Sequence, residues 1–300
     1  MSVKLSWPLD GAWLSRVRIG WPTTYDWVSA HYWGDQLRSG IELNGVRVEL
    51  RDIPQPHERC VLFEVEVDGR RRFVTFDYND YFHVAEDAVS ESLVYFKANC
   101  LAEGYPQANV IPGGYMPANL GYYRRLPRLR ALRRARPWLP YDVYARLGLR
   151  FPSEIRVKAM EILTARRDFD FVGALHRYEG GPDKMPYEKY LREVTRAKVC
   201  VDMPNGGDLT MRLIDCLGIG ACVVRPQMRV GMPVPLVHGE HVVFCERDLS
   251  DLGDACARLV RDRAERERVA RGARDYFDRF LHRRQLAAYY LHEIAAAWEQ

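Results

Sequence analysis

Short apolar runs alternate along the chain with amphipathic stretches, a pattern typical of α/β proteins. In the first half, residues 16–20 predict a buried strand, 35–45 a helix and 46–50 a second strand. Two β-rich runs then flank Asp68 and Gly69, a dipeptide that favours a tight hairpin. The first half therefore predicts an α/β domain that contains one hairpin.

The second half repeats this alternation. Its strands are expected at 169–175, 198–203, 221–226 and 241–245, and its helices at 186–197, 208–217 and 248–262. Two more helical stretches follow, and the last one, 286–299, carries a set of apolar residues at helical spacing. This order predicts a second α/β domain followed by a C-terminal helix.

Residues 121–153 interrupt the pattern, because they are rich in arginine and proline and contain few acidic residues. We expect the connection between the two domains in this segment. Two interpretations stay open for it. It is either a solvated basic connector or a patch, at 124–136, that contacts an anionic acceptor or a membrane surface.

Length and composition agree with this organisation. Three hundred residues exceed the usual size of one hydrophobic core, so two domains are expected. Seven scattered cysteines without a CxxC pair predict buried, reduced thiols and a cytoplasmic protein. No apolar run is long enough to cross a bilayer, and the first residues lack a signal-peptide pattern. The net charge of +4 is too small to require a polyanionic partner.

One stretch, NGGDLTMRLIDCLGIGACVV at 205–224, combines features suited to phosphate binding. A glycine-containing turn runs into an apolar helix, and a helix N-terminus carries unpaired N–H groups and partial positive charge. Gly206 and Gly207 let a phosphate approach the main chain, Thr210 offers a hydroxyl and Arg212 offers a guanidinium. The stretch predicts a site for a nucleotide-linked diphosphate.

Two carboxylates in the same stretch suit the hydroxyl groups of a sugar or a ribose. Asp208 and Asp215 are seven residues apart and are expected on one face of the helix. The alternative is an ordinary glycine turn between a strand and a helix, with Asp208 as its N-cap. The stretch matches neither a Walker A loop nor the G-x-G-x-x-G fingerprint of dinucleotide-binding proteins.

Residues 203–226 and 235–277 resemble the C-terminal domain of GT-B glycosyltransferases, and they are most similar to the group-1 and spore-maturation CgeB-like branch. The common features are a helix of the t-x-R-x-x-E type, a strand after a glycine turn, and two further helices. They occur in the same order over about residues 169–285.

The resemblance implies the GT-B fold, in which two Rossmann-like α/β domains face a cleft. It divides the chain into an N-terminal acceptor-side domain at 1–150, a C-terminal domain that binds the nucleotide-sugar donor at 151–285, and a helix at 286–300 that returns to the N-terminal domain.

The resemblance also implies roles for individual residues. Arg212 would contact a phosphate or brace the loop, and Asp215 takes the place of a glutamate that holds the nucleotide ribose. Asp215 is one methylene shorter than that glutamate, and Gly207 stands where some relatives carry the first glutamate of an E-x7-E pair. The diphosphate loop itself would consist of Gly207, Asp208, Leu209 and Thr210.

The stretch FVGALHRYEGGPDK at 171–184 is a second donor-side candidate. A strand carries Gly173 and leads to a loop that contains His176, Arg177 and Lys184. In GT-B enzymes the equivalent loop often brings a basic residue to the diphosphate. The resemblance therefore favours Arg177 as a phosphate ligand, with no metal or other cofactor required. The alternative is a solvent-exposed polar loop.

A glycosyltransferase that inverts needs a general base near the acceptor hydroxyl, and in a GT-B enzyme the N-terminal domain supplies it. Asp26 and His31, in the loop after the first strand, are the candidates. The alternatives are a capping carboxylate and a packed histidine. Asp77 and Asp80 are expected to be structural turn residues. The aromatic residues of the first loop form either a sugar-stacking platform or part of the core: Trp21, Tyr25, Trp27, Tyr32 and Trp33.

The leading prediction is a metal-independent, hexosyl-type glycosyltransferase. It would use a nucleotide-diphosphate sugar, with UDP among the candidate nucleotides, and an unknown hydroxyl acceptor. One alternative is a catalytically silent GT-B-like subunit, favoured by Gly207 and Asp215. Another is a module that binds nucleic acid through the arginine segment. No stable nucleic-acid partner is expected, because basic residues do not cluster elsewhere.

Overall fold

The computed structural model describes residues 4–27, 30–117, 119–136, 138–149, 153–177 and 185–300, and for Arg177 it describes the main chain alone. The chain forms two compact units. The first unit contains 1–120, 229–235 and 279–300, and the second contains 121–228 and 236–278. The division comes at 120–121 rather than at the predicted 150–151.

The first unit is built around a mixed sheet. In its described part six strands are ordered β2-β1-β3-β4-β5-β6, and β3 alone is antiparallel to its neighbours. Asp68 and Gly69 connect β3 to β4 with φ angles of 51° and 79°, as a two-residue hairpin turn requires. The elements are α1 Gly11–Arg16, β1 Val17–Pro22, α2 Ala30–Leu43, β2 Arg47–Arg51, β3 Cys60–Val67, β4 Arg70–Asp77, α3 Glu86–Glu91, β5 Ser92–Lys97 and β6 Val110–Pro112.

The second unit contains a parallel sheet. Its five described strands are ordered β11-β10-β9-β7-β8, and every neighbouring pair is parallel. The elements are α4 Tyr122–Arg134, β7 Tyr141–Leu149, α5 Glu154–Ala165, β8 Phe171–Arg177, α6 Tyr187–Val194, β9 Ala197–Val201, α7 Met211–Ile219, β10 Cys222–Pro226, β11 Val243–Cys245, α8 Leu252–Arg261 and α9 Arg263–Tyr276, followed by a π-helical turn at Phe277–Leu281.

The arginine-rich segment is not a simple connector, because it supplies α4 and β7 to the second unit. Tyr122, Leu126 and Leu129 recur at helical spacing and are buried, while the arginines between them conceal this stripe in the sequence. Strand β7 lies between β9 and β8 in the sheet, and its side chains Val143 and Leu147 are fully buried. This contribution moves the division between the units toward the N-terminus.

The last helix, α10 Arg283–Trp298, belongs to the first unit, where it packs against α2 and β5. The Tyr290 ring stacks on Phe96 with centroids 3.7 Å apart, and its hydroxyl donates to the Gly113 carbonyl over 3.0 Å. A Cβ at Gly40 of α2 would collide with the main chain at Arg283, so glycine permits this close helix packing.

The α/β fold class predicted from the sequence is confirmed, since the chain contains two parallel-rich sheets, consistent with a two-domain Rossmann-like GT-B fold. The seven cysteines are free and buried, as expected from their apolar surroundings. Within the described ranges, no helix has both the length and the apolar character needed to cross a bilayer.

Candidate functional site

The loop between β9 and α7, residues 202–210, lies at the point where the strand order of the second sheet reverses. From β7 the chain first adds β8 on one side of the sheet. It then returns to add β9 on the other side of β7, followed by β10 and β11. In open α/β sheets ligands bind at the carboxyl ends of the strands beside this reversal. Gly206 has a φ of +83°, which favours glycine over residues with a Cβ.

Helix α7 begins at Met211, three residues later than the predicted 208. Its N-cap is Thr210, whose Oγ1 accepts the Leu213 N–H over 3.1 Å and donates to Asp202 Oδ1 over 2.6 Å. Asp208 is therefore not the N-cap, and it does not share a helical face with Asp215. The Thr210 hydroxyl proton is already engaged by Asp202, so in this arrangement it is not offered to a phosphate.

Asp202 organises the loop, and sequence reasoning missed it. This carboxylate is fully buried directly after β9, where Arg212 Nη1 donates to Oδ1 over 3.2 Å. Arg225 Nη1 lies 3.1 Å from Oδ2, a charge contact without hydrogen-bond geometry. Arg225 Nη2 also donates to the Asp208 carbonyl over 2.6 Å. A buried aspartate and a buried arginine within apolar strand sequences were the available signals, since such groups need partners.

Two further arginines, also missed, hold the edges of the loop. Arg156 of α5 is 5% exposed and donates to the carbonyls of Met203 and Pro204, each over 2.9 Å, and to Gly148 at the end of β7. Arg247 follows β11, and its Nη1 lies 3.8 Å from Asp208 Oδ2. The Arg247 side chain is 46% exposed, so it is the guanidinium of this group most open to solvent.

The carboxyl edge of the second sheet, at the β9–α7 loop, carries excess positive charge. Three guanidinium groups, of Arg212, Arg225 and Arg247, lie within 4 Å of the carboxylates of Asp202 and Asp208. A fourth, of Arg156, donates to main-chain carbonyls of the same loop. Burial alone would lower the pKa of Arg212, but the charge and the hydrogen bond of Asp202, together with smaller contributions from Tyr190 and Cys216, leave the pKa raised. Several buried polar atoms here have no hydrogen-bond partner among the described residues: Asp202 Oδ2, Asn205 Oδ1, Arg212 Nε and Arg225 Nη1. The protein alone does not use the full hydrogen-bonding capacity of this edge.

Asp215 lies within α7 and is 1% exposed. Its Oδ1 accepts the Tyr187 hydroxyl over 2.7 Å, and its main-chain carbonyl accepts the Tyr122 hydroxyl over 2.8 Å. Burial raises the pKa of this carboxyl to about 8, although Tyr187 and Arg212 oppose the shift. At neutral pH the group is therefore mostly protonated. Its role as a ribose ligand stays a prediction.

The other predicted donor residues lie on or after β8. Gly173 is in mid-strand, where a Cβ would collide with the Phe171 ring and lie 2.7 Å from the Ala145 carbonyl oxygen, so packing explains this glycine. His176 is half-buried and has an interaction partner. Arg177 ends the strand, but its side chain lies outside the described part, as does all of Lys184. Their roles stay predictions.

The predicted bases lie in the first unit. Asp26 is exposed in the segment after β1. His31 is the second residue of α2 and half-buried, with its ring 4.2 Å from that of Tyr32. Trp21 is fully buried and Trp33 is 5% exposed, so both belong to the core rather than to a sugar-stacking platform.

Asp77 is structural, as expected. It is 2% exposed, lies 2.9 Å from the buried Lys97 ammonium group, and accepts the Tyr95 hydroxyl over 2.5 Å and the Asn79 N–H over 2.7 Å. Across the residues that the structure describes, no three His, Cys, Asp or Glu side chains are grouped as metal ligands would be.

Comparison with protein families matches residues 155–299 to a family model described as "Glycosyl transferase-like". The match spans just under half of the chain and includes the whole of the β9–α7 loop and Arg247. It supports a glycosyltransferase family, without extending to the residues before 155. A search of curated proteins found no match.

Proposed function

We propose that the chain transfers a sugar from a nucleotide-diphosphate donor to a hydroxyl acceptor. The family match supports glycosyl transfer in general. The observation that carries the donor assignment is the excess positive charge beside the N-terminus of α7, at the reversal of strand order. A diphosphate is the donor component whose charge complements such a site.

In this proposal the residues divide into ligands and supports. Arg247 and the main chain at 205–209 contact the diphosphate, whereas Asp202, Arg225 and Arg156 hold the loop in position. Arg212 braces the loop through Asp202 and borders the phosphates. The guanidinium groups and the helix N-terminus stabilise the departing nucleoside diphosphate, so the reaction proceeds without a metal ion.

The remaining parts of the proposal concern the sugar, the acceptor and the cell. Asp215 lies one helical turn behind Arg212 and faces the ribose, the transferred group is a hexosyl group, and Asp26 or His31 removes the acceptor proton if the configuration inverts. The CgeB-like branch is the proposed relation within glycosyltransferases, and the cytoplasm is the proposed compartment, because seven free thiols suit a reducing environment.

The test is a thermal-shift panel with UDP, GDP, dTDP, ADP and CMP, each with and without EDTA. A nucleotide at about a hundred times its dissociation constant stabilises a protein by roughly 2.7 kcal/mol. For this chain length that corresponds to a shift of a few degrees in Tm. One nucleoside diphosphate should stabilise the protein equally with and without EDTA. If no nucleotide raises Tm under either condition, the donor assignment fails.

A second candidate is a catalytically silent subunit that binds the nucleotide sugar without turnover. Two features favour it: Gly207 stands where some relatives carry a glutamate, and burial raises the pKa of the Asp215 carboxyl to about 8. The enzyme and the binding subunit are distinguished with sugar esters of the nucleoside diphosphate that stabilises the protein, by measuring release of that nucleoside diphosphate. An enzyme releases it with time when acceptors are supplied, and even water supports slow release. A binding subunit shows the Tm shift with no release.

A further inference from the structure

Helix α4 has an inner face whose arginines form hydrogen bonds with other parts of the second unit. Arg130 forms a bidentate pair with Asp278 over 2.9 and 2.7 Å and donates to the Gly218 carbonyl over 2.7 Å. Arg133 donates to the carbonyls of Val194 and Ala197 over 3.2 and 2.9 Å. These two arginines fix α4 to its neighbours, so they are not available to a partner.

The outer face is different. Arg124, Arg128 and Arg134 are exposed, and within the described ranges no carboxylate forms an ion pair with them. Glu188 approaches this side of the helix, but Arg125 already donates to it over 2.8 Å. The sequence from 121 to 141 contains no Asp or Glu.

An exposed tryptophan follows this face. Trp138 comes four residues after the end of α4, and it is 73% exposed, more than any other large hydrophobic residue described. An indole left in water gives nothing to the core, whereas the interface of a membrane accommodates both its apolar ring and its N–H. We define the arginine face as Arg124, Arg128, Arg134 and Trp138.

We propose that the arginine face docks the protein on a membrane surface that contains anionic phospholipids. The arginines supply charge attraction to the headgroups, and Trp138 enters the interfacial layer. Each arginine near an anionic leaflet strengthens membrane partitioning about fivefold. The proposal does not rest on the nucleotide site, because it uses a different set of residues.

A lipid surface fits this face better than a nucleic acid does. The three arginines lie on one helix face with Pro127 and Ala131 between them, and one aromatic ring lies beyond its end. Single-stranded nucleic acid is held by a groove with several stacking side chains, and duplex DNA needs phosphate contacts in fixed register. Lipid headgroups move laterally, so they match any spacing of positive charges.

The experiment is co-sedimentation of the full chain with vesicles of phosphatidylcholine alone or mixed with phosphatidylglycerol, at low and at high salt. The triple variant Arg124→Gln/Arg128→Gln/Arg134→Gln removes the charge and keeps good helix formers. Its matched control is Arg263→Gln/Arg268→Gln/Arg271→Gln, on the exposed side of α9 in the same unit, with the same change in net charge. Trp138→Ala tests the aromatic contribution, and a fluorescent single-stranded oligonucleotide is the competitor.

Binding should require phosphatidylglycerol and weaken at high salt. It should fall about a hundredfold in the α4 variant, since three arginines each contribute about fivefold. Trp138→Ala should weaken it several-fold, and the α9 variant should bind like the wild type. Absence of binding to anionic vesicles overturns the proposal, as does equal loss in both triple variants. Tight oligonucleotide binding that depends on the α4 arginines, with vesicles not bound, identifies a nucleic acid as the partner and also overturns it.

Discussion

Both sheets place charged residues at their carboxyl edges, but they balance the charges differently. At the edge of the first sheet, Asp77 is matched by Lys97, and the carboxylate also accepts two hydrogen bonds. At the edge of the second sheet, three guanidinium groups lie against two carboxylates, a fourth binds the main chain of the loop, and Arg247 remains half exposed. A neutral, closed cluster indicates a structural role, whereas surplus charge near solvent indicates an anion site.

The largest expected effect concerns the closed cluster of the first sheet. Lys97→Met leaves the Asp77 carboxylate buried without its cation, and removing one partner of a buried pair costs about 3–5 kcal/mol. Urea unfolding should show this loss. The control is Lys158→Met, at an exposed lysine of α5. A loss no greater than in the control would mean that the pair is not structural.

Asp215 in the second unit extends the comparison with Asp77. Both carboxyls are buried, but Asp215 has the Tyr187 hydroxyl as its partner, whereas Asp77 has the Lys97 ammonium group. The pKa of Asp215 is raised to about 8 in the folded state, and an unfolded aspartate has a pKa near 3.9. The folded state therefore holds a proton that the unfolded state releases. The contribution of Asp215 to the free energy of unfolding is therefore complete below about pH 4. It declines as the pH rises toward about 8, by up to about 1.4 kcal/mol per pH unit.

Unfolding free energies measured between these pH values test this slope. Asp215→Asn keeps the shape and cannot titrate, so it should flatten the decline, while Asp254→Asn at an exposed carboxylate should leave it unchanged. The same decline in Asp215→Asn and wild type would show that Asp215 is not the titrating group.

A smaller effect is expected at the start of α7. Thr210→Val removes both the N-cap acceptor and the donor to Asp202, so stability should fall by about 1–2 kcal/mol. Thr164→Val, at an exposed threonine of α5, is the matched control. Thermal unfolding of the two variants is compared, and equal Tm values would show that the Thr210 hydroxyl does not stabilise the protein.

The sequence predicted most of the strands and helices, because apolar periodicity reflects burial directly, but it missed β7, which lies inside the arginine-rich segment. It misplaced the start of α7, since Asp208 and Thr210 both suit an N-cap and only the distant Asp202 decides between them. It missed α4 because the arginines hid a stripe of three buried residues. Arg156, Arg225 and Arg247 join the site from separate elements, and periodicity within one element carries no information about such contacts.

The β9–α7 loop could be found from its glycines and its helix, but its charge balance could not. Arg247 shows why, since it lies 39 residues from Asp208 along the chain, and in sequence it is one of many arginines in the second half. Only the parallel order of β9, β10 and β11 brings the two loops together at one edge.

The most direct measurement is the affinity of the stabilising nucleoside diphosphate for wild type, Arg247→Gln and Arg261→Gln, by titration calorimetry. Arg247 is half exposed, so its loss should leave Tm nearly unchanged. A charged hydrogen bond to a phosphate is worth about 1.5–3 kcal/mol, so affinity should fall at least tenfold. Arg261, 70% exposed on α8 in the same unit, should have no effect when replaced. Equal affinity of all three proteins would contradict a diphosphate site at this edge.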